Sequence, residues 1–183
     1  MVRFYIPLVA AATLIMSTTA ACSHTGLLQM LTYVKRHPDF TREEFWTYWF
    51  DEHAPKVAPL ATHFNITRYQ QVRAVTPGAG GQILPTEMGA DAPASTTPVE
   101  FDGVAMFMYR APEVLAAFVA HPYYTEVVLP DEHVFIDKAA FGGGQVATFV
   151  GPHFEVVNDK QDVWIGNSTM REKYQKIFDS YQI

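Results

Sequence analysis

The feature that most limits the fold is a pattern that occurs twice: an apolar stretch of strand length, a helical period, and another stretch of strand length. Residues 27–34 (LLQMLTYV) form the first apolar run, which has the length of a strand. After a break at His37-Pro38-Asp39, Thr41 and Glu44 make a capping-box start for a helix over about residues 42–60. Pro55 lies inside that helix and predicts a kink or break after Ala54, because proline lacks an N–H and crowds the preceding turn. Residues 66–75 alternate as a second strand. The second round has a strand over residues 101–109 and a helix opened by Pro112, with Val114, Leu115, Phe118 and Val119 as its apolar stripe. Pro122 stops that helix. A short piece over 123–129, a polar-aromatic segment over 130–137, a turn at Gly142-Gly143-Gly144 and a fourth strand over 145–150 complete it. Two such βαβ rounds predict an α+β protein of the ferredoxin-like, split-βαβ type, with one antiparallel sheet and helices on one face. The other sheet face needs a cover, and a second copy is the simplest one, so a homodimer is expected.

A chain of 183 residues, 49% hydrophobic, has ample core for one domain, placed here at residues 27–150. Residues 76–98, rich in Pro, Gly, Ala and Thr, read as a long flexible loop within it, and 151–183 as a C-terminal extension. Residues 1–25 run from Arg3 through an apolar stretch to small residues ending at Cys22. That is the order of a secretory signal, and the stretch is too short for a stable membrane span. The net charge of −6 argues against a nucleic-acid partner. A lone cysteine, Cys22, excludes a disulfide framework and a thiolate metal knuckle.

Chemistry concentrates in two places. Phe45, Trp49, His53, Val57 and Leu60 recur at helical spacing and share one face. His53 therefore sits among large aromatics, and the pattern leaves two readings open: a proton-transfer group near neutral pH, or a core histidine satisfied by a backbone carbonyl, Asp51 or Glu52. The second concentration is His121-Pro122-Tyr123-Tyr124 followed by Pro130-Asp131-Glu132-His133 and Asp137. A carboxylate beside a histidine can orient the ring and raise its basicity. Histidine spacing of a metal site is missing, as are the GxSxG, GxGxxG and P-loop patterns.

These residues resemble a known family. Trp49-Phe50-Asp51-Glu52-His53-Ala54-Pro55, Asp102-Gly103, His121-Pro122-Tyr123-Tyr124 and Asp131-Glu132 through Phe135 and Asp137 resemble, in order, the motifs of EthD-like dimeric α/β-barrel proteins. Within that group the chain is most similar to fungal polyketide-tailoring dehydratases and decarboxylases. The resemblance implies a cytoplasmic homodimer without metal or organic cofactor, acting as a lyase on an aromatic polyketide. It implies His53 as general acid or base with Asp131, Glu132 and His133 as neighbours. Trp46, Trp49, Tyr69, Phe107, Tyr123 and Tyr124 are the expected substrate contacts. Relatives also include cofactor-free anthrone-type monooxygenases and proteins without assigned activity, so an oxygenase and a non-catalytic ligand-binding barrel stand as alternatives.

Overall fold

The computed structural model describes residues 25–73 and 81–181, so the signal-like segment lies outside the described residues. Strand β1 (Leu28–Val34) leads into α1 (Arg42–Thr47), where Thr41 accepts from the Glu44 amide at 3.2 Å and Glu44 accepts from the Thr41 amide at 2.8 Å. This is the capping box the sequence announces. The helix then widens into a π turn, Tyr48–His53, before resuming as α2 (Ala54–His63). The break expected after Ala54 does not occur. In the π turn the Ala54 amide reaches back five residues to the Trp49 carbonyl, and the looser coil accommodates Pro55, which cannot donate and would crowd the Asp51 carbonyl. Helix α2 ends in a left-handed cap: Asn65 has φ 52°, with the Ile66 amide on the Ala61 carbonyl at 2.9 Å and the Asn65 amide on Thr62 at 3.1 Å.

Strand β2 (Arg68–Arg73) follows, and β3 (Gly81–Ile83) pairs with β4 (Val99–Phe101). Strand β5 (Gly103–Tyr109) opens the second round, with α3 (Pro112–Ala120), a second π turn (Tyr124–Val128), α4 (Leu129–Phe135) and β6 (Gln145–Pro152). Once again the π turn precedes a proline by two residues, here Pro130. The segment read from sequence as merely polar-aromatic is thus helical, and its acidic residues are presented on a rigid element.

The main sheet has the order β2-β5-β1-β6, with every neighbouring pair antiparallel. Each round contributes one central strand and one edge strand, which defines the ferredoxin-like fold. Alternation places Met30, Thr32 and Val34 of β1, Ala105 and Phe107 of β5 and Tyr69 of β2 on the helix-facing side. Leu31, Met106 and Phe149 share the opposite side, where Phe149 is 63% exposed.

Two apolar clusters fill the space between sheet and helices. One gathers Phe45, Trp49, Phe135 and Ile136, and the other Val57, Leu60, Phe118 and Val128. Tyr69 and Phe107 pack against both, and their rings stack at 4.6 Å. Buried Asp102 anchors one end of this layer, accepting from the Arg42 side chain at 2.9 Å and the Arg36 amide at 3.2 Å, with Lys35 at 3.5 Å. It thereby ties the end of β1 and the start of α1 to the start of β5. The polar network compensates a charge that would be costly to bury alone.

Beyond the sheet, β7 (Val157–Asn158) and β8 (Gln161–Asp162) form a hairpin, and α5 (Ser168–Asp179) is capped by Asn167 and exposed along its length. Between β3 and β4, within the stretch expected to be a structureless loop, Thr86 docks on the edge of β6. Its amide donates to the Val146 carbonyl at 3.2 Å, and its carbonyl accepts from the Thr148 amide at 3.1 Å.

Gly103 has a steric reason to be glycine: a Cβ there would lie 2.4 Å from the Trp49 ring, which rests on the β5 backbone. Gly103→Ala is expected to cost about 1–3 kcal/mol, the usual range for overpacking a filled core. Urea unfolding checks this, and an unchanged midpoint would show that the indole has room to move.

Candidate active site

A buried hydrogen bond joins the helices of the two rounds. His53 closes the first π turn and Asp131 lies in the first turn of α4; His53 Nδ1 and the Asp131 carboxylate are 2.7 Å apart, both residues buried. Asp131 also accepts from the Tyr48 hydroxyl at 2.8 Å and from Lys56. Burial pushes the Asp131 carboxyl up, but the donors Lys56, His53 and Tyr48 outweigh it and hold the group below the usual aspartate value. An ionised Asp131 requires Nδ1 to be the protonated nitrogen. Nε2 is left as the lone-pair face, with no hydrogen-bond partner among the described residues.

Burial lowers the His53 pKa from 6.5, opposed by the hydrogen bond to Asp131 and the charges of Glu132 and Asp131. The ring is therefore neutral at pH 7. It lies 4.8 Å from the Phe135 ring, which is fully buried and also touches Tyr48 and Trp49. The Phe135 ring and the hydrogen bond to Asp131 together hold the imidazole.

His53 borders a cavity of about 340 Å³ between the sheet and the helices, a size ordinary for a small-molecule site. Trp49, Tyr69, Phe107 and Phe118 supply its aromatic walls, with Tyr124 and Glu132 on the α4 side. Glu132 accepts from the Tyr124 hydroxyl at 3.0 Å and from Lys138 at 3.1 Å. Burial, then the Glu132 charge and hydrogen bond, push the Tyr124 hydroxyl far above its ordinary value. Burial pushes Tyr69 up to about 12, with the Gln71 and Trp49 side chains pulling the other way. The Tyr69 oxygen accepts from the Gln71 amide at 2.7 Å, so its own proton is free to be donated.

Of the residues singled out from sequence, His53, Glu132, Trp49, Tyr69, Phe107 and Tyr124 line the cavity, and Asp131 stands directly behind His53. Three do not join them. His133 is exposed, because two residues of helix carry it to the far side of α4 from Asp131. Trp46 lies outside the cavity, edge-on to Trp49 at 6.0 Å, stacked on Phe50 at 6.2 Å and beneath the Arg73 guanidinium at 5.9 Å. Tyr123 packs against the second apolar cluster rather than the cavity.

Sequence reasoning missed Tyr48, Lys56, Gln71 and Lys138. Lys56 carried a signal, three residues after His53 on the same helical face. Tyr48 did not, since a five-residue offset brings it alongside only through the π turn. The segment after β3 also contributes Thr86, Glu87 and Met88 to the cavity rim, which its composition gave no reason to expect.

Fold and site together define a ferredoxin-like α+β domain with a carboxylate hydrogen-bonded to a neutral histidine beside an aromatic-walled cavity. Residues 37–139, more than half of the chain, match the EthD domain family, and the chain belongs to it. Among solved structures, it is similar to an EthD-family protein from Bacillus halodurans at 15% identity and TM-score 0.42, covering 70% of this chain and 98% of that one. An EthD-like protein from Ralstonia eutropha is similar at 16% identity and TM-score 0.38, covering 74% and 98%. A dimeric protein of unknown function with a ferredoxin-like fold from Bacteroides fragilis gives 10% identity and TM-score 0.41, covering 61% and 87%. No curated protein matches the chain significantly.

Removing the Asp131 charge tests the pairing. In Asp131→Asn the negative charge that strengthens the hydrogen bond and raises the His53 pKa is gone while burial remains, so the titration midpoint of His53 should fall further below 6.5. Imidazole chemical shifts followed against pH measure it, and a midpoint that rises would contradict the arrangement. The sign for stability follows from the depressed histidine pKa. The fold should hold its full His53 contribution above about pH 6.5 and lose it as pH falls through the lower folded value.

Proposed function

We propose that the protein is a lyase that removes water or carbon dioxide from an aromatic polyketide, using His53 as its general acid and base. The observation carrying this reading is the His53–Asp131 pair at 2.7 Å on the border of an aromatic-walled cavity. A β-dicarbonyl substrate is already acidic at the carbon between its carbonyls, so a neutral imidazole with a free Nε2 suffices as base. Asp131 orients the ring and stabilises the imidazolium that forms, as a carboxylate does behind a catalytic histidine elsewhere. Tyr69, with a hydroxyl proton free to donate, meets the oxygen on which negative charge develops. Trp49, Phe107 and Phe118 stack on the planar rings and exclude water. In a dehydration His53 takes the proton beside the carbonyl; in a decarboxylation it protonates the carbanion that remains.

The same reading includes a homodimer formed through the outer sheet face. Leu31, Met106 and the exposed Phe149 lie there, and a second copy would remove them from water.

Incubation with hydroxylated aromatic polyketides, followed by mass spectrometry, is expected to show a product lighter by one water or one carbon dioxide without oxygen consumption. Oxygen uptake would turn the assignment toward an oxygenase. His53→Gln should lower turnover by about 10²–10⁴-fold, the range contributed by general acid–base catalysis; a variant with full turnover would refute the role. The acid limb of kcat/KM should have its midpoint below pH 6.5, because His53 must be neutral to act as base and burial lowers its pKa.

A further inference from the structure

We propose that the cavity accepts uncharged substrates and rejects carboxylates, so that the lyase step is loss of water from a neutral hydroxy-ketone. This rests on the cavity being the substrate site, and it selects between the two reactions left open above. Among the described residues that line the cavity there is no lysine and no arginine. The ionisable groups on its wall are His53, the tyrosines, Glu132 and Glu87. Glu132 stands on the wall with its carboxylate on the Tyr124 hydroxyl, while its ammonium partner, Lys138 at 3.1 Å, is not part of the wall. Lys56 stands likewise beyond the wall, on Asp131 behind His53. Glu87, on the segment that docks against β6, has no side-chain partner among the described residues.

The cations are therefore outside their carboxylates: Glu132 is on the cavity wall and Asp131 stands behind His53, while both ammonium groups lie beyond the wall. A substrate carboxylate entering here sheds its water and meets carboxylates rather than a guanidinium or ammonium. A neutral ketone meets no such opposition, and the Tyr69 hydroxyl offers it a donor.

Dehydration keeps the charge count of the cavity constant. The C–H bond beside the carbonyl breaks and its proton passes to His53 Nε2. The freed electron pair forms the carbon–carbon double bond as the β C–O bond breaks. The imidazolium returns the proton to the departing hydroxide, which leaves as water, and His53 is neutral again. No oxidant or reductant is required.

The test compares two ligands of similar shape and opposite character, 2-acetylnaphthalene and 2-naphthoate, by calorimetric titration of the full chain at pH 7.5. The ketone is expected to bind at least about tenfold more tightly than the carboxylate. Glu87→Lys, which puts a cation on the rim, should strengthen naphthoate binding and narrow that gap. Naphthoate binding as tight as the ketone, or a gap unmoved by Glu87→Lys, would overturn the charge selection and leave the cavity as a site for aromatic ligands. Failure of both ligands to bind would remove the cavity reading together with the selection built on it.

Discussion

The hydrogen bond between His53 and Asp131 joins residues 78 positions apart and ties the helices of the first βαβ round to those of the second. Sheet pairing already interleaves the rounds, but the helices above the sheet need their own reason to stay in register. The dyad supplies it, with Tyr48 and Lys56 from the first round converging on a carboxylate from the second. A buried carboxylate with three donors, one of them an ammonium, is satisfied; without the ammonium it would be a buried charge with no counter-ion. The position of α4, and with it the shape of the cavity, depends on this cluster being complete.

Both partners sit next to distorted helix, and the distortion has the same origin on each side. A proline follows each π turn by two residues, Pro55 after His53 and Pro130 after Val128. An unbroken α-helix would put Tyr48 well away from His53 around the axis. The wider turn lets both side chains reach Asp131. The prolines thus do more than interrupt hydrogen bonding: they accompany the wider turns that bring Tyr48 and His53 onto Asp131.

Much of the fold was legible because it rests on periodicity. The helical spacing from Phe45 to Leu60 placed His53 on the buried face, and the Thr41/Glu44 box and the strands over 28–34 and 103–109 stand close to where composition and alternation put them. The site was legible where a residue's role follows from its own helix, as for Trp49 and His53. It was not where the role is created by tertiary contact. Nothing local marks Gln71 as a donor to Tyr69, or Lys138 as the partner of Glu132. His133 shows the converse error, since adjacency to Asp131 and Glu132 in sequence says nothing about a helix turning it to solvent. Pro55 was expected to kink or break its helix because that is the usual effect of proline; the wider π turn ahead of it lets the helix continue.

The division of charge around the cavity follows from the same architecture. Asp131 and Glu132 are adjacent on α4 and buried. Their long cationic partners can extend toward water, where an ammonium keeps part of its hydration. Lys56 and Lys138 do so, with about a third and a quarter of their side chains exposed. Acids within and bases at the surface is therefore the arrangement that satisfies both groups at least cost, and the wall left facing a ligand is aromatic, weakly acidic and neutral at its histidine. Such a wall favours a proton moved between uncharged partners over the capture of an anion. The helix packing that positions His53 and the charge distribution around the cavity have one structural cause.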